Sequence, residues 1–280
     1  MNNRRLRLKF MLLGLPALAG FAILYLYPFA RTIWYSMIGN TFQKNFVFLD
    51  NYIRVISNRY FQLALKNTLI FSVVSVICIV TLSLLLSFGL MRLNARYAFI
   101  KNLLIVPMIL PTASVIYVWQ LVFQNDGYME LVKHMTGGSF WTVLPIYLLY
   151  IWKNTGINII ILSAAIVGLS LDIREAAALD GAHGFRLYRS VTLPMVTPSL
   201  MFVIVLSLVN ALKNFRESYL FFQTSYPPDA AYTVQYYMNN HFQKLDYPSL
   251  TASSVIFTCI IILILLGFYR LENKYSGKIY

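Results

Sequence analysis

The sequence predicts an all-α polytopic membrane protein with six transmembrane helices. Three observations point there. Of 280 residues, 59% are hydrophobic and 12% charged, about half the charged share of an average soluble domain. The apolar residues gather into six runs, each near the roughly 20 residues that cross a ~30 Å hydrocarbon core as a helix. The 23 lysines and arginines, which bring the net charge to +13, fall at the ends of those runs, as the positive-inside rule requires. They form no single basic patch of the kind that binds nucleic acid.

The elements follow in order. Residues 1–9 form a basic tail with Arg4, Arg5, Arg7 and Lys9. The first run covers 10–30. It is too long for the apolar core of a signal peptide, and Leu26-Tyr27-Pro28 is no cleavage site, so it is a retained span. Residues 31–66, with aromatics such as Trp34 and Tyr52, form an outside loop with partial helices. The second span, 68–91, carries no charge and ends in Arg92, Arg96 and Lys101. The third, 103–123, contains Pro107 and Pro111, which predict a kink that neighbouring helices must cover. Residues 124–141 form a short outside loop with the turn signals Asp126-Gly127 and Gly137-Gly138. The fourth span is 141–169 and the fifth 195–212. Between them lies a polar loop, 170–194. A tyrosine-rich outside loop, 213–250, leads to the sixth span, 251–269. Residues 10–270 thus form one six-span domain, closed by a tail at 271–280.

Six spans place both termini on one side. That side carries thirteen of the lysines and arginines against four acidic residues, and the other side ten against six, spread over longer loops. The termini and the 170–194 loop are therefore expected to be cytoplasmic.

The 170–194 loop looks built. Asp172 stands three residues before Glu175, the spacing of a capping box with Asp in place of Ser. Ile173 to Leu179 are good helix formers. Gly181 and Gly184 then break the helix, and a second helical run, Phe185 to Val191, ends at Leu193-Pro194. Ala176, Ala177 and Ala178 are small enough to let another surface approach closely, so the loop reads as a docking element.

Other chemistry is missing. There is no Gly-x-x-x-x-Gly-Lys-Ser/Thr loop for nucleotide phosphates. His134, His183 and His241 lie far apart, and Cys78 and Cys259 sit alone in apolar runs. No metal cluster or nucleophile–base pair emerges, so the chain is not expected to be an enzyme. No Asp or Glu falls within the six expected spans, which argues against a proton symporter.

Polar residues inside two spans are candidates for holding a solute. In the fourth, Tyr150, Lys153, Asn154 and Ile157 share one helical face; in the fifth, Ser207, Asn210, Ala211 and Asn214 do the same. Facing stripes of amide, hydroxyl and ammonium groups suit a polyhydroxylated solute. Bonding between neighbouring helices explains Asn and Ser equally well. Lys153 requires a counter-charge, a carbonyl cluster or water, or else an acidic or phosphorylated substrate.

The loop also resembles the EAA loop of ABC importer permeases. Glu175-Ala176-Ala177, then Gly181 after three intervening residues, then Val191, then Leu193-Pro194 reproduce that spacing, with Val in place of Ile, and Asp180-Gly181-Ala182 matches the Asp-Gly-Ala common there. Tyr27-Pro28 ending the first span, Asp50-Asn51-Tyr52 and Ala64-Leu65-Lys66-Asn67-Thr68 are similar to the maltose-type carbohydrate branch. The resemblance implies that Glu175, Ala176, Ala177, Asp180, Gly181, Ala182, Leu193 and Pro194 couple the chain to a cytoplasmic P-loop ATPase, present in two copies. It implies a second homologous permease, an extracytoplasmic solute-binding protein and a sugar or polyol substrate, in a bacterial or archaeal cell membrane. ATP and Mg would be bound by the ATPase and no cofactor by this chain, and the solute would cross by alternating access. The alternative is a stand-alone secondary carrier or channel for a polar solute.

Overall fold

The structure is a computed structural model. It describes residues 14–39, 45–91, 98–123 and 139–276. The basic tail, Arg92, Arg96, the turns Asp126-Gly127 and Gly137-Gly138, and Lys278 lie outside these residues. Among those described the chain is helical with no strand; one isolated bridge pairs Ile38 with Phe46. Among the described residues five helices are long and apolar enough to cross a membrane, or six if one bent pair counts as a single span.

The chain divides into two units. The first joins residues 1–62 to 238–260. Helix α1, Gly14–Ser36, continues past Pro28, where the first span was expected to end. A π-turn at Ala22–Leu26 explains how: the Tyr27 N–H reaches back five residues to the Ala22 carbonyl. This shifts the hydrogen-bond ladder just before Pro28, which has no N–H and would collide with the carbonyl four residues back. Helix α2, Asp50–Ile56, is tied to the end of α1 by buried Asn51, whose Nδ2 donates to the Ser36 carbonyl at 2.9 Å and the Ile38 carbonyl at 2.8 Å. Asn51→Ala leaves two carbonyls without that donor. It is expected to cost about 1–3 kcal/mol, read as a loss of thermal stability in detergent.

Helix α3, Arg59–Met91, starts nine residues before the expected second span. Asn58 caps it, its Oδ1 accepting from the Tyr60 amide at 2.8 Å. On the other segment of this unit, Asp246 Oδ1 accepts from the Ser249 amide at 3.2 Å, and Asp246 Oδ2 meets His241 Nδ1 at 2.9 Å. The His241 bond, followed by those from Ser249, holds the Asp246 carboxyl well below its ordinary range against the opposing effect of burial. The folded pKa is the lower one, so the stabilisation is present in full above about pH 4 and fades as the pH falls toward the depressed value. Asp246→Ala removes this N-cap and should cost about 0.5–2 kcal/mol at neutral pH. The difference from wild type should shrink in acid, which melting curves across pH will test.

The second unit joins 63–237 to 261–280. It holds the rest of α3, α4 (Ala98–Ile109), α5 (Thr112–Phe123) and α6 (Ser139–Val167). Helix α7 (Leu171–Leu179) is followed by α8, a helical run over 184–195, then α9 (Thr197–Leu212) and α10 (Arg216–Phe222). A 3-10 turn at Asp229–Ala231 leads into α11 (Val234–Gln243). The last helix, α12, covers Tyr247–Ser276, so it starts before and ends after the expected sixth span. Helices α11 and α12 each run from one unit into the other.

The expected kink in the third span is a break. Helices α4 and α5 meet at 102°, with Pro111 at the corner. Helix α6 is the centre of this unit and packs against α4, α5, α9, α10 and the 3-10 turn. Gly156 lets α4 come close: a Cβ there would lie 2.4 Å from the Leu104 carbonyl oxygen. Ser83 and Ser87 of α3 donate to the Thr155 and Ile159 carbonyls of α6 at 3.3 and 3.1 Å.

Helix α10 was expected to be outside loop. The apolar stretch instead runs from Thr197 through Phe222 with only a short interruption, and α10 folds onto α5 and α6. Gln120 of α5 holds its end, donating to the Leu220 and Phe221 carbonyls at 3.1 and 2.7 Å. Asn67 of α3 secures the next segment through the Asp229 and Tyr232 carbonyls at 2.6 and 2.9 Å.

Candidate functional site

The 170–194 loop is built by its glycines. Asp172 was expected to cap the first helix. Ser170 occupies the cap position instead, with extended φ, ψ of −59° and 145° and no side-chain cap bond, and Asp172 lies inside the first turn of α7. An acidic residue is favourable there simply through the helix dipole. The C-terminus has a full Schellman motif. Gly181 adopts φ +76°, its N–H bonds the Ala178 carbonyl at 3.0 Å, and the Ala182 N–H bonds the Ala177 carbonyl at 2.8 Å. The Glu-Ala-Ala to Gly spacing is thus the distance from the middle of a helix to its left-handed cap. Gly184, at φ +56°, opens α8.

A second π-turn, Tyr188–Thr192, precedes Pro194, and the Leu193 N–H reaches the Tyr188 carbonyl. In both π-turns the residue just before a proline donates the long bond. Tyr188 anchors the loop, its ring 4.2 Å from that of Phe88 on α3, and burial pushes its phenol pKa up. Of the expected coupling residues, Glu175, Ala176, Asp180, Gly181 and Pro194 are exposed, Ala177 and Leu193 half-buried and Ala182 buried. Leu179 and Phe185 are 90% and 68% exposed. Two large exposed apolar side chains on a loop that also exposes a carboxylate suit a protein partner, and neither was singled out from the sequence.

The two polar stripes meet different surroundings. Asn158 Nδ2 donates to Ser207 Oγ at 2.8 Å, joining α6 to α9 through buried side chains. Ser207 is therefore engaged between helices, and Asn158 was left out of the expected site. A double-mutant cycle of Asn158→Ala and Ser207→Ala should give a coupling of about 0.6 kcal/mol and at most ~1.7, read from unfolding in detergent. Asn154 donates to the Tyr150 carbonyl one turn back at 2.8 Å. Tyr150 is buried against Phe71, ring centroids 5.1 Å apart, and its hydroxyl has no hydrogen-bond partner among the described residues. Ile157 is half-buried, Ala211 and Asn214 buried, and Asn210 exposed.

Lys153 has the counter-charge it requires. Its Nζ lies 3.7 Å from Glu217 Oε1 on α10 and donates to Thr112 Oγ1, the first residue of α5, at 2.5 Å. The expectation that no acidic residue stands within the spans is corrected here. Glu217 lies in the apolar stretch that α10 prolongs. A cavity of about 20 Å3, lined by Asn67, Phe71, Asn214, Ser218 and Thr233 among others, has room for about one water molecule. Two larger grooves are apolar: one of about 500 Å3 between α3, α9 and α12, the other of about 310 Å3 at the α4–α5 corner.

Residues 79–274 match the family described as binding-protein-dependent transport system inner membrane component. The chain belongs to this family. It is a membrane-spanning ABC importer permease, a transport component. Its relatives include the lactose transport system permease protein LacF of Rhizobium radiobacter, 27% identical over 92% of both chains. The trehalose/maltose transport system permease protein MalF of Thermococcus litoralis is 29% identical over 91% of this chain and 92% of its own. The sn-glycerol-3-phosphate transport system permease protein UgpA of Yersinia pestis is 29% identical over 94% of both. In fold the permease is similar to a chain of a bacterial ABC transporter that imports the acidic polysaccharide alginate. The TM-score is 0.78 at 20% identity, over 97% of this chain and 96% of that one.

Proposed function

We propose that this permease carries a neutral oligosaccharide or related polyol across the cell membrane by alternating access, as one half of a heteromeric importer. The other components are a second permease, two copies of a P-loop ATPase that bind ATP and Mg, and an extracytoplasmic solute-binding protein. ATP is hydrolysed on the ATPase, and this chain binds no cofactor. Both termini and the 170–194 loop face the cytoplasm, where the ATPase can reach Glu175.

The observation that carries this reading is the loop itself, a helix closed by a Schellman cap, with Glu175, Leu179 and Phe185 of the loop exposed. Relatives named for lactose, trehalose/maltose and arabinooligosaccharides support the substrate class. The cavities among the described residues support a second permease. The polar one is water-sized and the larger ones are apolar, while Asn154 and Asn210, the amides left for a solute, stand at least partly at the surface. The test is co-purification followed by uptake. The tagged chain, extracted from its native membrane, should bring a second six-span permease and a P-loop ATPase, and the complex should drive sugar uptake into liposomes only with ATP. A chain that purifies alone and transports without ATP would establish the carrier alternative.

A further inference from the structure

Lys153 and Glu217 form an ion pair inside a membrane-spanning bundle, and the sequence offers two uses for such a lysine. A lone ammonium in the solute path attracts an anion. An ammonium already matched by a carboxylate leaves a polar surface with no net charge. The geometry favours the second. The groups are 3.7 Å apart with side chains 11% and 18% exposed, so the pair is neither sealed nor fully solvated, and Coulomb forces there are stronger than in water.

Glu217 is held in place by its helix. Gln120 fixes the end of α10, and Ser218 meets the Tyr236 hydroxyl at 3.2 Å. Lys153 is fixed from its other side by Thr112. On the same unit Lys213 and Arg216 are exposed, and among the described residues Glu217 is the carboxylate paired with Lys153. Asn154 follows Lys153 in sequence, and Asn214 stands three residues before Glu217, in the break between α9 and α10.

We propose that Glu217 determines the charge selectivity of the solute path: by neutralising Lys153 it makes the path fit for uncharged polyhydroxylated solutes and unfit for anionic ones. This rests on the importer reading above and deepens it. Removal of the carboxylate leaves the Lys153 ammonium without its counter-charge inside the bundle. That converts the path into one that takes carboxylated or phosphorylated solutes. The pair then acts as a specificity determinant that a single substitution can invert. In the family, relatives named for neutral sugars and for sn-glycerol-3-phosphate stand at similar identity to this chain.

The test uses the complete transporter in detergent without its binding protein, so that delivery does not filter the solute. Trigalacturonate is titrated by calorimetry into wild type, Glu217→Gln and the double variant Lys153→Gln/Glu217→Gln, with neutral maltotriose as the control for non-specific sugar binding. Glu217→Gln should bind trigalacturonate roughly ten- to a hundredfold more tightly than wild type, the range a charge-assisted hydrogen bond supplies. The gain should fall with added salt and vanish in the double variant. The double variant removes both charges and so leaves no buried, unpaired ammonium. No gain in Glu217→Gln, or a gain that survives in the double variant, overturns the proposal. ATP-driven uptake by the wild-type complex is measured separately. Its absence would sink the importer reading, whereas normal uptake with no change of charge preference would sink only this inference.

Discussion

Uptake is expected to fall to background in Gly181→Pro, while Gly181→Ala keeps most of it. Both substitutions act on the Schellman cap of α7. At φ +76° an L-residue sits in the left-handed region at a cost of about 1–2 kcal/mol, but nothing lies within 4 Å of a Cβ placed there. Alanine therefore strains the cap without a clash. Proline cannot adopt that φ at all, and it removes the N–H that bonds the Ala178 carbonyl at 3.0 Å. The cap opens, α7 frays from its C-terminal end, and Glu175, Leu179 and Phe185 lose their fixed arrangement. Glu175→Ala should give the same loss of uptake by a different route. The carboxylate is exposed, so the helix stays intact and only the docking contact goes. All three proteins should reach the membrane in near-normal amounts. ATPase co-purification should be weakened in Gly181→Pro and Glu175→Ala and retained in Gly181→Ala. Normal ATP-driven uptake by both of the damaging variants would remove the coupling role from this loop.

The same loop shows what a sequence makes legible. Its glycine positions are visible because a left-handed backbone requires glycine. The spacing from Glu175 to Gly181 is therefore a statement about φ, written directly in residue type. The cap at the other end misled because an acidic residue is favourable both at the N-cap and in the first turn, and only the backbone angles of Ser170 and Asp172 separate the two. Prolines are legible as disruptions and illegible as geometry. Pro28 and Pro194 are absorbed by π-turns within continuing helices, whereas Pro111 stands at a 102° corner. What distinguishes them is whether the residue before the proline donates one position further back, as Tyr27 and Leu193 do.

The solute region was read only in part. The polar residues of α6 stand out because polar groups in an apolar run are costly, and the sequence was enough to say that Lys153 needs a partner. It was not enough to find Glu217. That residue is 64 positions away, past a break in the apolar run that looks like the start of a loop. The same break hid α10 itself. Asn158 and Ser207 show the converse case: the Asn158 amide donates across to Ser207 on the next helix, and residue type alone does not say whether an amide faces a neighbouring helix or a cavity.

Gly156→Ala is expected to destabilise the protein as strongly as any single methyl group can. The added Cβ would lie 2.4 Å from the Leu104 carbonyl oxygen, 3.3 Å from its carbon and 3.4 Å from the Ile105 Cα. All three are backbone atoms, so no side chain can rotate away, and α4 as a whole must retreat from α6. Overpacking of this kind costs about 1–3 kcal/mol, against which alanine's better helix propensity returns at most ~1 kcal/mol. Gly89→Ala is the matched control. Gly89 lies in α3, and a Cβ there meets nothing within 4 Å, so the propensity gain should stand alone and leave the melting temperature unchanged or raised. The effect of Gly156→Ala should not stop at stability. Helix α4 leads through the Pro111 corner into α5, whose first residue, Thr112, holds the Lys153 ammonium. Displacing α4 moves that hydroxyl, so a Gly156→Ala protein that still reaches the membrane should also lose uptake. The loss should persist below its lowered melting temperature. If Gly156→Ala melts and transports like wild type, the close approach of α4 to α6 is not the arrangement that positions Lys153.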